Sequence, residues 1–301
     1  MKKLFLLLAC TISLTFGVTH VPKQTYPLPK KEFNAVQRLL DSFEGLVDAT
    51  QKHWEVKENQ ERWQMDPVTV KDEAYILSLI DNIGMIQEVS PQKKYYDYVF
   101  LLGAVTTTAR QRLYHLVHLF EQGVRFGKIY VLSGERPLDP LVETESLFLQ
   151  PDETVLETKQ VNLPLPKNES EMLRFLIKQY VFPKEFQKIP IEYISFPMKK
   201  NENGELVRPK TDDTVAAWLK TKPLKGSILA ISNQPFVNYQ DLALKIHLEG
   251  KYEIETVGYE RKMHKIEVYL DQIARYLVNF KRYQDGKQKN LSCKPLLLKT
   301  K

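Results

Sequence analysis

The residues of this chain able to handle a charged ligand fall in short clusters, each directly after an apolar run. Gly103 is followed by Thr106, Thr107, Thr108 and then Arg112; a second cluster is Ser133, Gly134, Glu135 and Arg136. Thr211, Asp212, Asp213 and Thr214 form a third, and Ser232, Asn233 and Gln234 a fourth. Glu171 lies in the acidic start of a helical stretch, ESEM. Hydroxyls, backbone N–H groups at helix starts and a guanidinium are the groups that take up an anion. A carboxylate beside them is what acid–base chemistry would use. The binding set read this way is Gly103, Thr106, Thr107, Thr108, Arg112, Ser133, Gly134, Thr211, Ser232 and Asn233, with Glu171 and Asp213 as acid–base candidates. Each such polar residue also suits a helix cap, and first-turn carboxylates such as Asp212 and Asp213 are favoured by the helix dipole alone. Convergence at several strand ends is what gives the set its interest.

Several familiar chemistries are disfavoured. Gly103-Ala104-Val105 is not continued by the further glycines of a dinucleotide fingerprint, and no Walker-type loop occurs. There is no G-x-S-x-G elbow for a hydrolase nucleophile. His115 and His118 share a helix face at i, i+3 spacing, but no third metal ligand accompanies them, and packing accounts for both. No metal site is expected.

The elements that must position these clusters alternate. Tyr98–Leu102, Lys128–Leu132, Ile191–Phe196, Ser227–Ile231 and Tyr252–Val257 read as strands; Ala109–Gln122, Ser170–Phe182, Asp212–Lys222, Asn238–Glu249 and Lys262–Arg282 read as helices. Strand–helix alternation of this kind predicts right-handed crossovers and an α/β fold: a doubly wound, mainly parallel sheet of about five strands with flanking helices. Ligands of such sheets bind beyond the carboxyl ends of the strands. The helical periodicity over residues 32–55 and Val70–Glu88 predicts an N-terminal helical layer whose apolar face needs covering. The irregular stretch Glu135–Lys167, with an extra short strand expected over Thr154–Val161, is longer than ordinary loops. Asn203-Gly204 predicts a type I′ turn in a projecting ribbon over residues 197–210. The expected organisation is a signal segment (1–17), a linker with N-terminal helices (18–94), a Rossmann-like domain (95–282) and a basic tail (283–301).

Lys2 and Lys3 precede the apolar run Leu4–Phe16, and Thr15 and Gly17 suit a cleavage site, so the chain is expected to be exported, periplasmic or secreted. Leu7-Leu8-Ala9-Cys10 resembles a lipobox, which makes lipid anchoring through Cys10 the minority alternative. With that segment removed, Cys293 alone remains and no intramolecular disulfide is possible. No other apolar run approaches the ~20 residues of a membrane span. The formal charge of +6 is concentrated at the end of the chain, where residues 281–301 hold seven Lys or Arg and one Asp. Scattered among Gly, Gln and Asn, these form no amphipathic stripe, and nucleic-acid binding is not expected.

With these residues in hand the chain resembles the bacterial SanA/YdcF/ElyC-like family, a doubly wound, envelope-associated domain, over about Tyr95–Tyr259. Gly103 and Arg112-Leu113 match the family's glycine-ended strand and the Arg-Leu of the next helix, with Ala104 and Val105 where further glycines stand. Ser133-Gly134-Glu135 matches two residues of Ser-Gly-Gly. Glu171 matches the helix-opening Glu, and Thr211-Asp212-Asp213-Thr214 is similar to Thr-x-Glu-Asn. Ile231-Ser232-Asn233 fits the last strand, while Phe236 and Gln240 stand near where the family has His and Arg. The resemblance implies a role in envelope maintenance and a nucleotide-like or S-adenosylmethionine-like ligand. Together the readings lead to the expectation of an exported protein binding an anionic, phosphate- or nucleotide-like small molecule at the carboxyl edge. The alternative is a non-catalytic envelope scaffold with a vestigial pocket. No cofactor, substrate or oligomeric state is specified by the sequence.

Overall fold

A computed structural model describes residues 43–57, 60–68, 72–150, 157–261 and 265–292. The signal segment, Cys10, Cys293 and the first part of the expected strand at 154–161 lie outside them. In chain order the elements are α1 (Phe43–Trp54), α2 (Glu73–Asn82), β1 (Tyr95–Leu102), α3 (Thr106–Glu121), β2 (Arg125–Gly134), the single turn α4 (Ser146–Leu149), α5 (Glu169–Gln179) and β3 (Ile191–Phe196). There follow β4 (Lys199–Lys200), β5 (Leu206–Val207), α6 (Thr211–Leu219), β6 (Ser227–Asn233), α7 (Val237–Leu248), β7 (Glu253–Tyr259) and α8 (Ile266–Ser292). Among the described residues no helix is long and apolar enough to cross a membrane.

The described residues divide into two compact units, one within 88–260 and one formed by those before 88 and after 260. In the helical unit, the last helix of the chain covers the N-terminal ones: Leu46, Val47, Ile76, Leu79 and Ile80 are buried, as are Tyr269, Leu270, Ile273 and Leu277 of α8. This helix was expected to close the α/β domain. Its apolar face instead completes the helical layer, and it continues past Arg282 to Ser292, into the stretch read as a tail. Asp271 ties this unit together. Its fully buried carboxylate accepts from the Val56 N–H at 3.0 Å, Arg62 Nε at 2.8 Å and Arg275 Nε at 2.9 Å.

The other unit is an all-parallel five-stranded sheet in the order β3-β2-β1-β6-β7. Side chains alternate across it. Val99 and Leu101 of β1 face Leu113, Leu116 and Val117 of α3 and Met172, Leu173 and Leu176 of α5. Phe100 and Leu102 face the opposite way, onto Val215 and Trp218 of α6 and Leu244 and Leu248 of α7. Burial of both faces explains why these strands are continuous apolar runs, since a parallel sheet covered twice has no solvated face. Trp218 anchors the second layer, edge-on to Phe100 at 4.8 Å and to Tyr130 at 5.7 Å between ring centroids. The fold is therefore doubly wound and Rossmann-like, as the strand–helix alternation implied. The winding reverses between β1 and β6, which places the topological switch point beyond Leu102 and Asn233.

One local expectation is corrected. The ribbon exists, with Lys199↔Val207 and Lys200↔Leu206 paired antiparallel, but its turn is not type I′. Only Gly204 has positive φ there, +81°, whereas type I′ needs two such residues. Gly204 N–H donates to the Asn201 carbonyl at 2.9 Å, and Asn201 Oδ1 accepts from the N–H groups of Asn203 and Glu205. The Asn201 side chain thus organises a type I turn followed by a glycine bulge.

Candidate functional site at the carboxyl edge

At the switch point β1 stops at Leu102 because Gly103 turns the backbone toward α3, while its N–H still donates to the Leu132 carbonyl at 2.8 Å. α3 starts at Thr106 with Val105 at the cap position, so no side chain of its own turn satisfies the free N–H groups. Glu143 does so from the irregular segment after β2. The Thr106 N–H donates to Glu143 Oε1 at 3.2 Å, and the Asp139 N–H donates to Oε2 at 3.0 Å. Thus a carboxylate of the chain itself lies at the helix N-terminus, where an anionic ligand would ordinarily sit.

Arg136 links this carboxylate to a second one. Its NH1 and NH2 grip Glu143 at 2.7 and 3.0 Å, and its Nε lies 2.7 Å from Glu169 Oε2. All three side chains are buried, Arg136 being 6 % exposed and Glu169 8 %. Glu169 is the first residue of α5, held there by Asn168, whose Oδ1 accepts from the Glu171 N–H. Its other oxygen, Oε1, projects over Gly103 into the volume that a side chain at 103 would fill. Among the described residues nothing donates a hydrogen bond to Oε1. Burial raises the Glu169 pKa, against the pull of Arg136 and of Arg208 from the ribbon, which favour the charged form.

The structure brings several of the sequence-derived residues into this edge and gives each a partner. Thr106 is fully buried beside Glu143, while Thr107 is exposed and Thr108 buried on the same turn. Arg112, 2 % exposed, spans the switch point: Nε donates to Asn233 Oδ1 at 2.9 Å, and NH1 to the carbonyls of Leu102 and Gly103 at 2.9 and 2.8 Å. Asn233 Nδ2 in turn donates to the Gln234 carbonyl at 2.8 Å, ahead of a cis Gln234–Pro235 bond. Ser133 shares a hydrogen bond of 2.7 Å with Ser170, and Gly134 lies under the Pro209 ring of the ribbon. Ser232 is buried and donates to Gln240.

Others are helix-capping groups. Glu171, exposed, accepts from the Lys167 N–H at 2.8 Å and Asn168 Nδ2 at 3.0 Å, which fastens the Asn168 cap at the start of α5. Asp213 accepts from the Lys210 N–H at 2.7 Å and pairs with Lys199 Nζ at 2.8 Å, and Thr211 opens the same helix, α6. The carboxylates with the unusual surroundings are instead Glu143 and Glu169. Glu143 sits in a segment without periodicity, where no sequence signal marks it. For Glu169 a signal existed: a strand-ending glycine at 103 indicates close approach of another group, and Glu169 is two residues from the Glu chosen.

Among the described residues no three His, Cys, Asp or Glu side chains come together as a metal site. Comparison of the chain with protein-family models, with curated proteins and with solved structures returns no match.

Proposed function

We propose that this chain is an exported, YdcF-like protein of the cell envelope that binds a small anionic molecule, phosphate- or nucleotide-like, at the carboxyl edge of its sheet. The observation that carries the reading is the buried Arg136–Glu169 pair at the switch point, with Glu169 Oε1 left open above Gly103. Burying charged groups is costly, and a carboxylate with a shifted pKa and an unused oxygen at a doubly wound sheet's binding edge supports a site over a scaffold. The positive charge of Arg208, which acts on Glu169, favours an anion on this side, and Glu169 is the group positioned for proton transfer if the bound molecule is turned over. Phosphorylated sugars and nucleotides titrated in a thermal-shift assay test it: a binder of the folded state raises Tm in proportion to ln(1 + [L]/Kd). The expected result is a saturable rise that Arg208→Ala diminishes. No rise with any compound at millimolar concentration overturns it.

A second reading has one observation in its favour. Glu143 already fills the N-terminus of α3, as expected of a non-catalytic envelope scaffold whose pocket is vestigial. The same titration separates the two.

A further inference from the structure

The proposed ligand can be specified further, on the basis of that reading. We infer that the ligand presents a hydrogen-bond donor, a hydroxyl or amino group, to Glu169 above Gly103, and that its anionic group lies away from the N-terminus of α3. At the switch point of this sheet two positions ordinarily receive a phosphate: the free N–H groups of the helix after the first strand, and the open face of the glycine before it. Here both are taken by carboxylates. Glu143 accepts the Thr106 N–H and is held rigidly by two Arg136 nitrogens and the Asp139 N–H. Glu169 Oε1 covers Gly103.

A phosphate oxygen brought there would meet two negative groups in a buried setting, where like charges repel strongly. A donor would meet the opposite: an acceptor that is 8 % exposed, anchored through Oε2 by Arg136 and lacking a partner at Oε1 among the described residues. An open acceptor of this kind selects for a ligand hydroxyl or amine, because a ligand without one covers that oxygen without giving it a donor. The positive charge of Arg208, from the ribbon, already acts on Glu169 and favours an anionic group on that side. The chemical class is a phosphorylated polyol, sugar or amino sugar, or the ribose side of a nucleotide, in preference to an oxyanion that carries no proton, such as sulfate.

The test compares two sets of probes on the full exported chain. Ribose 5-phosphate, glucosamine 6-phosphate and a nucleoside monophosphate carry donors; sulfate and molybdate, fully deprotonated at neutral pH, offer none. Kd is measured for each by thermal shift and by calorimetry, in the wild type and in Glu169→Gln. The expected result is that at least one donor-bearing probe binds, donorless anions bind at least tenfold more weakly, and E169Q narrows that gap. E169Q turns an acceptor into a group that also donates, so its sulfate affinity rises while its sugar-phosphate affinity falls roughly tenfold or more. Equal binding of sulfate and sugar phosphate by the wild type, or an unchanged ratio in E169Q, overturns the inference while leaving anion binding at this edge intact. Absence of binding by all five probes overturns the binding reading itself, and this inference with it. Should E169Q not fold, as judged by circular dichroism, the wild-type ratio alone decides.

Discussion

Glu169 Oε1 and Gly103 are complementary in shape: a Cβ built on Gly103 would lie 1.8 Å from that oxygen and 3.2 Å from the Leu132 carbonyl. The glycine is required by what lies above it rather than by its backbone angles, since its φ is not positive. Gly103→Ala therefore has to expel the Glu169 carboxylate from its place beside Arg136. We expect a loss of about 1–3 kcal/mol, the usual cost of overpacking, measured by urea denaturation. In the double variant with Glu169→Ala the two costs should not add, because the second change removes the atom that the first one strikes. Additivity within about 0.3 kcal/mol would show that the two residues do not interact.

Glu143 gives a second prediction. Its carboxylate satisfies a helix N-terminus, a loop N–H and one side of a buried guanidinium. Replacing it by Ala leaves Arg136 with one carboxylate and frees the first turn of α3. Loss of one partner of a buried charge pair costs about 3–5 kcal/mol. Glu143→Gln, which can still accept from Thr106, should recover part of this. Equal stability of wild type and Ala variant in urea melts would mean that Glu143 does not hold the turn.

Two buried carboxylates predict opposite pH behaviour. Burial would raise the Asp271 pKa, but Arg62, Arg275 and the Val56 N–H outweigh it, and the folded value lies below the ordinary one. A depressed folded pKa contributes stability that is complete above the unfolded value of about 3.9 and is lost as pH falls through the folded value. Asp271→Asn should therefore lower stability at neutral pH, with the difference shrinking as pH falls below about 4. Glu169 has the other sign: burial raises its folded pKa, so between the unfolded value of about 4.3 and the folded one stability declines as pH rises. Glu169→Gln should relieve that ionisation penalty, so its stability relative to wild type improves as pH rises through this window. Denaturation midpoints of both variants at pH 3.5, 5 and 7.5 check both signs.

The sheet was legible because its strands are buried on both faces. Val99 to Leu102 form one apolar run precisely where the two helical layers meet them, and the helices between strands carry the expected period. The destination of α8 was not, since an amphipathic helix does not state which apolar surface it will cover, and Ile273 and Leu277 fit a helical partner as well as a sheet. The strand ends at the carboxyl edge were legible from Gly103, Ser133 and Asn233, polar or flexible residues at which the apolar runs stop. The acid–base candidates were taken from the positions with the best local signal: Glu171 and Asp213 stand three residues after Asn168 and Lys210, the spacing of helix caps, and their hydrogen bonds are those of caps. Glu143 and Glu169 gain their surroundings from contacts with Arg136 and Gly103 made across the fold, and such contacts leave no periodicity.

The Arg112–Asn233 pair supplies the final prediction. Arg112 was read from the sequence as a ligand-binding cation, yet in the structure its Nε and NH1 join the ends of the two strands on either side of the switch point. A guanidinium is needed for this, because its fork meets a side-chain oxygen and two carbonyls at fixed angles, which a single ammonium cannot do. Arg112→Lys should thus resemble Arg112→Met in stability, both losing on the order of 3 kcal/mol through the buried acceptors left unpaired. If Arg112 served chiefly as a charge for the ligand, Lys would preserve much of the affinity and neither change would disturb the fold. Urea melts of the two variants, beside their Kd for the tightest-binding probe, distinguish the outcomes: a stability loss shared by Lys and Met assigns Arg112 to the strand junction, and a loss of affinity without loss of stability assigns it to the ligand.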